Sequence, residues 1–97
     1  MVTDFAGKTA LITGAGRGIG RAVALGLADA GAGLILVARS AVELAQTQAI
    51  VSGRGAAAGQ VRIVPADLAD EQQRGRAIAA ALAAGRVDIL VNNAATV

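Results

Sequence analysis

Apolar and polar positions along the chain follow two alternating periods, which divide it into strands and helices. Four short apolar runs have the length of β-strands, at residues 8–13, 34–38, 60–64 and 87–92. Between them lie segments with helical spacing, at residues 17–30, from 40 to about 51, and from 70 onward. This alternation predicts parallel strands joined by right-handed crossovers.

The helical spacing also predicts which side of the first helix is buried. Ile19, Val23 and Leu27 recur every four residues. Beside them runs a stripe of small residues, formed by Ala22, Gly26 and Ala30. We expect this stripe to let the helix lie close on the sheet.

Capping residues mark where the helices begin and end. Gly31 and Gly33 follow the first helix and are expected to terminate it. Ser40 and Glu43 have the spacing of a capping box, in which Ser40 is the N-cap and the Glu43 side chain reaches back to it. Asp70 is the predicted N-cap of the third helix.

The predicted elements define a fold class. Pro65 closes the third strand and favours an edge position for it. Ile78 and Leu82 are expected on the buried side of the third helix. Four strands and three helices make an α/β fold that is half of a doubly wound, Rossmann-type parallel sheet, with the expected strand order 3-2-1-4. No linker interrupts the chain, so residues 1–97 are expected to belong to a single domain.

Composition excludes several classes of function. The chain has no cysteine and no histidine, so neither a thiol nucleophile nor a zinc site is expected. The net charge is +2 with scattered arginines, and Phe5 is the only aromatic residue, so we expect no nucleic-acid partner. No apolar run approaches the roughly 20 residues of a membrane span. We expect a soluble, cytoplasmic protein without a membrane partner.

A glycine-rich turn, residues 13–20, joins the first strand to the first helix. Glycines there permit positive φ and let phosphates approach the backbone at a helix N-terminus. The general G-x-G-x-x-G spacing fails from either starting glycine, and no Gly-Lys-Ser/Thr follows for a P-loop. The spacing that fits is T-G-x-x-x-G-x-G, formed by Thr13, Gly14, Gly18 and Gly20.

This spacing resembles that of the short-chain dehydrogenase/reductase family, and the resemblance covers essentially the whole chain. Asp67-Leu68 follows the third strand, where the family places an aspartate that contacts adenine. Asn92-Asn93-Ala94 ends the fourth strand and matches the family's Asn-Asn-Ala-Gly element beside the cofactor, although Ala95 replaces its glycine. A purely structural role for Asn92 and Asn93 stays open. The resemblance implies a nicotinamide dinucleotide as partner.

The residues after the second strand favour NADP(H) over NAD(H). An NAD-binding unit places an acid about 20 residues past the glycine turn, but that position holds Ala38, Arg39 and Ser40. Arg39 offers donors to a 2′-phosphate, and Ser40 and Arg17 could assist. Alternatively, Arg39 is a solvated cation and Arg17 attracts anions without discriminating between the cofactors. The candidate cofactor-binding residues are Gly14, Arg17, Gly18, Ile19, Gly20, Arg39, Ser40, Asp67, Leu68, Asn93 and Ala94.

Catalytic residues cannot be assigned. The family's chemistry uses a tyrosine, with a lysine four residues later, and a serine that holds the substrate carbonyl. This chain has no tyrosine, and its one lysine, Lys8, precedes the first strand. We expect the N-terminal part of one NADP(H)-binding domain whose catalytic part is absent, inactive in carbonyl reduction or alcohol oxidation by itself. The alternatives are a non-catalytic nucleotide-binding module and a structural remnant.

The fourth strand should also shape assembly. In the order 3-2-1-4 it lies at an edge of the sheet, and its apolar residues 89–91 would be exposed there. We therefore expect a homo-oligomer, or association with a missing C-terminal half.

Overall fold

The structure, a computed structural model, describes residues 4–54 and 60–93. The elements follow in chain order: β1 (Thr9–Thr13), α1 (Gly18–Asp29), β2 (Gly33–Ala38), α2 (Ala41–Gly53), β3 (Val61–Pro65), α3 (Glu71–Ala83) and β4 (Ile89–Val91). The predicted strands and helices are confirmed, with boundaries that differ by at most two residues, as is usual where helix and strand ends fray. β4 is shorter than expected, because residues 87, 88 and 92 lie outside it.

The strands form one parallel sheet in the order β3-β2-β1-β4, which confirms the predicted topology. Thr13 pairs with Val37, and Ile12 with Val91. Ala38 pairs with Pro65, so β3 and its proline lie at an edge, as expected. Since all strands run the same way, the segments that follow them meet at the carboxyl ends of the strands.

The core lies on both faces of the sheet, and β2 shows why. Successive side chains of a strand point to opposite faces, and here both faces are covered. Leu34 and Leu36 are buried in a cluster with residues of α1 and α2. Ile35 and Val37 are buried on the opposite face with alanines of α3. The apolar run of the second strand therefore contributes to two cores.

The predicted inner face of α1 is confirmed only in part, since Val23 and Leu27 are half-buried and pack against the core. Ala22, Gly26 and Ile19 are exposed, and Ala30 is only half-buried. The row that packs on the core is formed by Gly20, Ala24 and Ala28. Adjacent rows of a helix rich in small residues have similar composition, so periodicity alone does not choose between them. The close contact of Gly20 with Gly14 determines which row of α1 faces the sheet.

The predicted inner face of α3 is wrong. Ile78 and Leu82 are 54% and 69% exposed, whereas Ala77 and Ala81 are buried against the sheet. The small side chains bring the helix close to β2 and β3, and the two larger residues lie one position further round the helix. The larger apolar residues therefore do not mark the buried side of α3.

The caps are confirmed in part. Gly31 has a φ of +95° where α1 ends, in a conformation that favours glycine. Asp70 Oδ1 accepts a hydrogen bond from the Gln73 N–H at 3.0 Å, and Ser40 Oγ accepts one from the Glu43 N–H at 3.1 Å. The second half of the predicted capping box does not form, because the Glu43 carboxylate lies near an arginine instead. Among the described residues, the helices lack the length and apolar character required to cross a membrane.

Candidate cofactor-binding site

Two glycines give the turn after β1 its shape. Gly14 and Gly18 have φ values of +65° and +58°, which residues other than glycine rarely adopt. A Cβ placed on Gly18 would have no atom within 4 Å among the described residues. Gly18 therefore borders open space at the start of α1, where a ligand can approach the backbone.

Gly20 has a different role, since it lets α1 lie directly on the turn. A Cβ there would overlap the carbonyl group of Gly14 and lie 2.8 Å from Asn93 Nδ2. The third glycine of the T-G-x-x-x-G-x-G spacing is therefore needed for close packing, and the second for an open backbone.

Among the described residues, no side chain caps the N-terminus of α1. Arg17 is the N-cap residue, its side chain makes no capping hydrogen bond, and no acid lies in the first turn. The first N–H groups of a helix have no partner within the helix and carry partial positive charge. A cation at this end adds to that charge, so the site favours an anion.

Amide and hydroxyl groups join the end of β4 to the turn. The Asn93 N–H donates to Thr13 Oγ1 at 2.9 Å, and Thr13 Oγ1 lies 3.2 Å from Asn92 Oδ1. Asn93 Nδ2 lies 3.4 Å from the carbonyl oxygen of Gly14. These contacts give Asn92 and Asn93 a structural role, while Asn93 also lines the cleft described below. Ala94, the remaining predicted residue of this element, lies outside the described residues.

A second anchor of the turn was missed by the sequence analysis. Arg21 Nη2 donates to the Gly16 carbonyl at 2.5 Å, and Arg21 Nε donates to Thr47 Oγ1 at 2.9 Å. Thr47 is fully buried and donates its hydroxyl to the Ala15 carbonyl at 3.0 Å. The available signal was the placement of Thr47 between Leu44 and Val51 on the apolar side of α2, since a buried hydroxyl needs a partner.

A cleft of about 970 Å³ lies at the carboxyl ends of the strands, where the segments that follow them meet. Its lining consists of Gly14, Gly16, Arg17, Gly18, Ile19, Val37, Ala38, Arg39, Ser40, Glu43, Ala66, Asp67, Leu68, Ala69 and Asn93. Most of the predicted cofactor-binding residues are thus brought together. Gly20 stands behind the lining as a packing residue, and Ala94 is not described.

Positive charge lies at the end of the cleft beside β2. Arg39 is exposed, and the described part of the chain supplies no hydrogen-bond or ion-pair partner for it. Arg17 lies on the same cleft, with its Nε 3.8 Å from Glu43 Oε2. The expectation that Glu43 is committed to a capping box is therefore wrong, because its carboxylate lies in the cleft.

Asp67 and Leu68 form the wall of the cleft that follows β3. The Asp67 N–H donates to Gln73 Oε1 at 2.7 Å, which joins this turn to α3. Asp67 Oδ1 accepts a hydrogen bond from the Ala69 N–H at 3.0 Å. The turn is thereby fixed beside the apolar side chain of Leu68, and together they present one carboxylate and one aliphatic surface to a ligand.

An open parallel sheet with a glycine turn at a helix N-terminus defines the class of nucleotide-binding α/β proteins. A family model for short chain dehydrogenase matches residues 8–97, and the chain belongs to that family. It is 45% identical over 95 residues to the rhamnolipids biosynthesis 3-oxoacyl-[acyl-carrier-protein] reductase of Pseudomonas aeruginosa, covering 96% of this chain and 35% of that protein.

Solved structures agree with this assignment. A short-chain type dehydrogenase/reductase from Mycobacterium ulcerans superposes with a TM-score of 0.87 at 38% identity, over 95% of this chain and 34% of that one. The RhlG/NADP active-site complex of Pseudomonas aeruginosa has a TM-score of 0.80 at 43% identity, over 99% of this chain and 38% of that one. The chain thus spans about a third of the length of the proteins that it matches.

Proposed function

We propose that this chain binds NADP(H) in the cleft and forms the nucleotide-binding portion of a short-chain oxidoreductase. In that reaction a hydride passes between the nicotinamide ring and a carbonyl or alcohol substrate. The observation that carries the proposal is the uncapped N-terminus of α1 behind Gly18, with Arg17 and Arg39 on the same cleft.

The pyrophosphate would lie against the turn. Gly18 leaves the backbone accessible, and the first N–H groups of α1 can donate to phosphate oxygens. The position of Ile19 in the cleft lining gives the bound nucleotide an apolar contact next to these donors. This arrangement suits any dinucleotide and does not discriminate between NADP(H) and NAD(H).

Discrimination would come from the 2′-phosphate. Arg39 follows β2 directly, has no competing partner among the described residues, and can present two parallel N–H donors to a phosphate. Ser40 adds a hydroxyl, although that oxygen already accepts from the Glu43 N–H. The Pseudomonas aeruginosa relative solved with NADP supports this preference by similarity.

The remaining residues of the cleft lining indicate where the adenine and the nicotinamide of the cofactor would lie. We place the adenine beside Asp67 and Leu68, and the nicotinamide half towards Asn93; a cofactor contact by Ala94 stays a prediction. The cofactor would supply the hydride, while these residues bind and orient it. None of the 97 residues is a tyrosine, so we propose that the chain does not catalyse the reaction by itself. The cytoplasmic location stays a prediction.

Calorimetric titration of the 97-residue chain with NADPH, NADH and ATP tests the proposal. We expect NADPH to bind more tightly than NADH, and ATP to bind weakly. Arg39→Gln should weaken NADPH by about ten- to a hundredfold, the range for a charge-assisted hydrogen-bonded contact, and leave NADH nearly unchanged.

Arg76→Gln is the matched control, because Arg76 is exposed on α3 and outside the cleft lining. It should bind both cofactors like the original chain. Tighter binding of NADH would contradict the NADP(H) preference. Absence of nucleotide binding in a folded chain would contradict the proposed function and favour a structural remnant.

A further inference from the structure

An acidic side chain lies in the cleft although none directly follows β2. Glu43 occupies the first turn of α2, where its N–H donates to Ser40 Oγ. Its carboxylate oxygen Oε2 lies 3.8 Å from Arg17 Nε, and Glu43 is part of the cleft lining. The cleft lining therefore contains Arg17, Arg39 and Glu43, besides the Asp67 carboxylate that follows β3.

The backbone of Glu43 packs closely against the turn, whereas the Arg17 side chain is largely exposed to solvent. A Cβ on Gly16 would come within 2.9 Å of Glu43 Cβ, which shows how closely the turn approaches this residue. The Glu43 carbonyl also lies 3.4 Å from Arg21 Nη2. The side chain of Arg17 is 80% exposed, compared with 35% for Glu43. A ligand would therefore move Arg17 more readily than Glu43.

This arrangement affects two nucleotides differently. A phosphate monoester carries close to two negative charges at neutral pH. A 2′-phosphate in the cleft would have to share Arg17 with the Glu43 carboxylate and approach a like charge. A ribose 2′-hydroxyl carries no charge, so its binding is not weakened when Arg17 is paired with Glu43. The hydroxyl could also donate a hydrogen bond to a carboxylate.

We propose that Glu43 is a specificity-determining residue that limits the preference for 2′-phosphorylated nucleotides by holding Arg17 beside its carboxylate. The inference rests on the proposed function, because it requires the adenosine end of a nucleotide to occupy this cleft. It assigns to Glu43 a role in selectivity, distinct from its position in the first turn of α2.

Two small probes test it. Adenosine 2′,5′-bisphosphate and 5′-AMP differ only in the 2′-phosphate, and both can be titrated calorimetrically into the full 97-residue chain. In Glu43→Gln we expect the bisphosphate to bind about fivefold more tightly, the effect of releasing an exposed ion pair, with 5′-AMP changed by less than about twofold.

Glu71→Gln is the matched control. Glu71 lies in the first turn of α3, so its loss removes a similar favourable charge from a helix N-terminus, but it lies outside the cleft lining. It should change the binding of neither probe. Thermal unfolding of both variants reports whether the fold is kept, separately from the binding readout.

The route through Arg17 is tested by a double-mutant cycle. In an Arg17→Gln background, Glu43→Gln should give at most half of its gain, because the arginine that it would release is gone. A full fivefold gain in that background would overturn the proposed route.

The remaining outcomes separate the two proposals. If the original chain binds both probes and Glu43→Gln affects them equally, the specificity role of Glu43 is overturned and the proposed function stands. If the folded original chain binds neither probe, the proposed function fails, and the inference about Glu43 fails with it.

Discussion

Arg21 Nε and Thr47 Oγ1 lie 2.9 Å apart and join the first turn of α1 to the buried side of α2. The same threonine hydroxyl donates to the Ala15 carbonyl, and the same guanidinium donates to the Gly16 carbonyl. The glycine turn is therefore held by two side chains that bind its carbonyl groups, and the Ala15 N–H donates to the Val37 carbonyl at 3.2 Å. The turn has a defined shape before any ligand binds.

Replacing Thr47 by valine should destabilise the fold. The change keeps the shape of the side chain but leaves the Ala15 carbonyl and Arg21 Nε without their partner, which costs about 1–3 kcal/mol. Urea unfolding followed by circular dichroism measures this loss. Ser52→Ala, which removes an exposed hydroxyl from the same helix, should change stability by less than about 0.5 kcal/mol. Equal effects of the two variants would contradict a supporting role for Thr47.

Two glycines of α1 should respond in opposite ways to alanine. At Gly20 the new methyl group would overlap the Gly14 carbonyl, which is backbone and cannot move without distorting the turn. We expect Gly20→Ala to lose about 3 kcal/mol of stability, at the upper end of overpacking effects.

Gly26→Ala is the matched comparison in the same helix. Gly26 is exposed, and its Cβ would meet no described atom within 4 Å. This variant should gain up to about 1 kcal/mol from helix propensity. Both values come from the same urea titration, and a Gly20→Ala chain as stable as the original would refute the close packing of α1 on the turn.

Asp88 should make stability depend on pH. The Thr9 N–H, which donates to Asp88 Oδ2 at 2.9 Å, lowers the pKa of this carboxyl; burial opposes that shift, and the charges of Arg86 and Lys8 assist it. Because the folded pKa lies below the unfolded value of about 3.9, the stabilisation is fully present above that value and is lost as pH falls through the folded pKa. Urea midpoints from pH 6 down to about pH 2.5 should show this loss.

Asp88→Asn should remove part of that acid dependence. Asp29 provides the comparison, since the hydrogen bond from Arg54 lowers its pKa at an exposed surface. Its contribution should shrink when salt is added, because salt screens exposed ion pairs. The Asp88 contribution, in which the backbone hydrogen bond is the largest cause, should persist in salt. An Asp88→Asn chain with an unchanged pH profile would disprove this account.

Local patterns predicted the order of the elements and the sheet topology. Short apolar runs, a proline at the end of β3 and the glycine turn are each properties of a few neighbouring residues. The buried faces of α1 and α3 were not predictable in this way. Their choice depends on close contacts such as that of Gly20 with Gly14, which join residues on different elements.

The same distinction holds in the site. The presence of Arg39 and Asp67 in the site could be predicted, because each lies within two residues of the carboxyl end of a strand, β2 or β3, that the pattern predicted. The hydrogen-bond partners of Thr47 could not be predicted, because they lie 26 and 32 residues away in the sequence. The spacing of Glu43 from Ser40 predicts a capping box, but the Glu43 carboxylate lies near Arg17, a contact that this spacing does not indicate.

The exposed edge of β4 leads to a prediction about assembly. β4 is the last strand of the described sheet, and Leu90 is 66% exposed there. Unpaired N–H and C=O groups beside exposed apolar residues favour pairing with another strand. We therefore expect the 97-residue chain to self-associate, with a mass that rises with concentration in light scattering.

Leu90→Lys tests whether β4 is responsible, because a charge on an edge strand opposes pairing. It should shift the chain towards the monomer. Val42→Lys is the control, since Val42 is 68% exposed but lies on α2. That variant should associate like the original chain. A monodisperse monomer at all concentrations, or equal effects of the two lysines, would rule out association through the β4 edge.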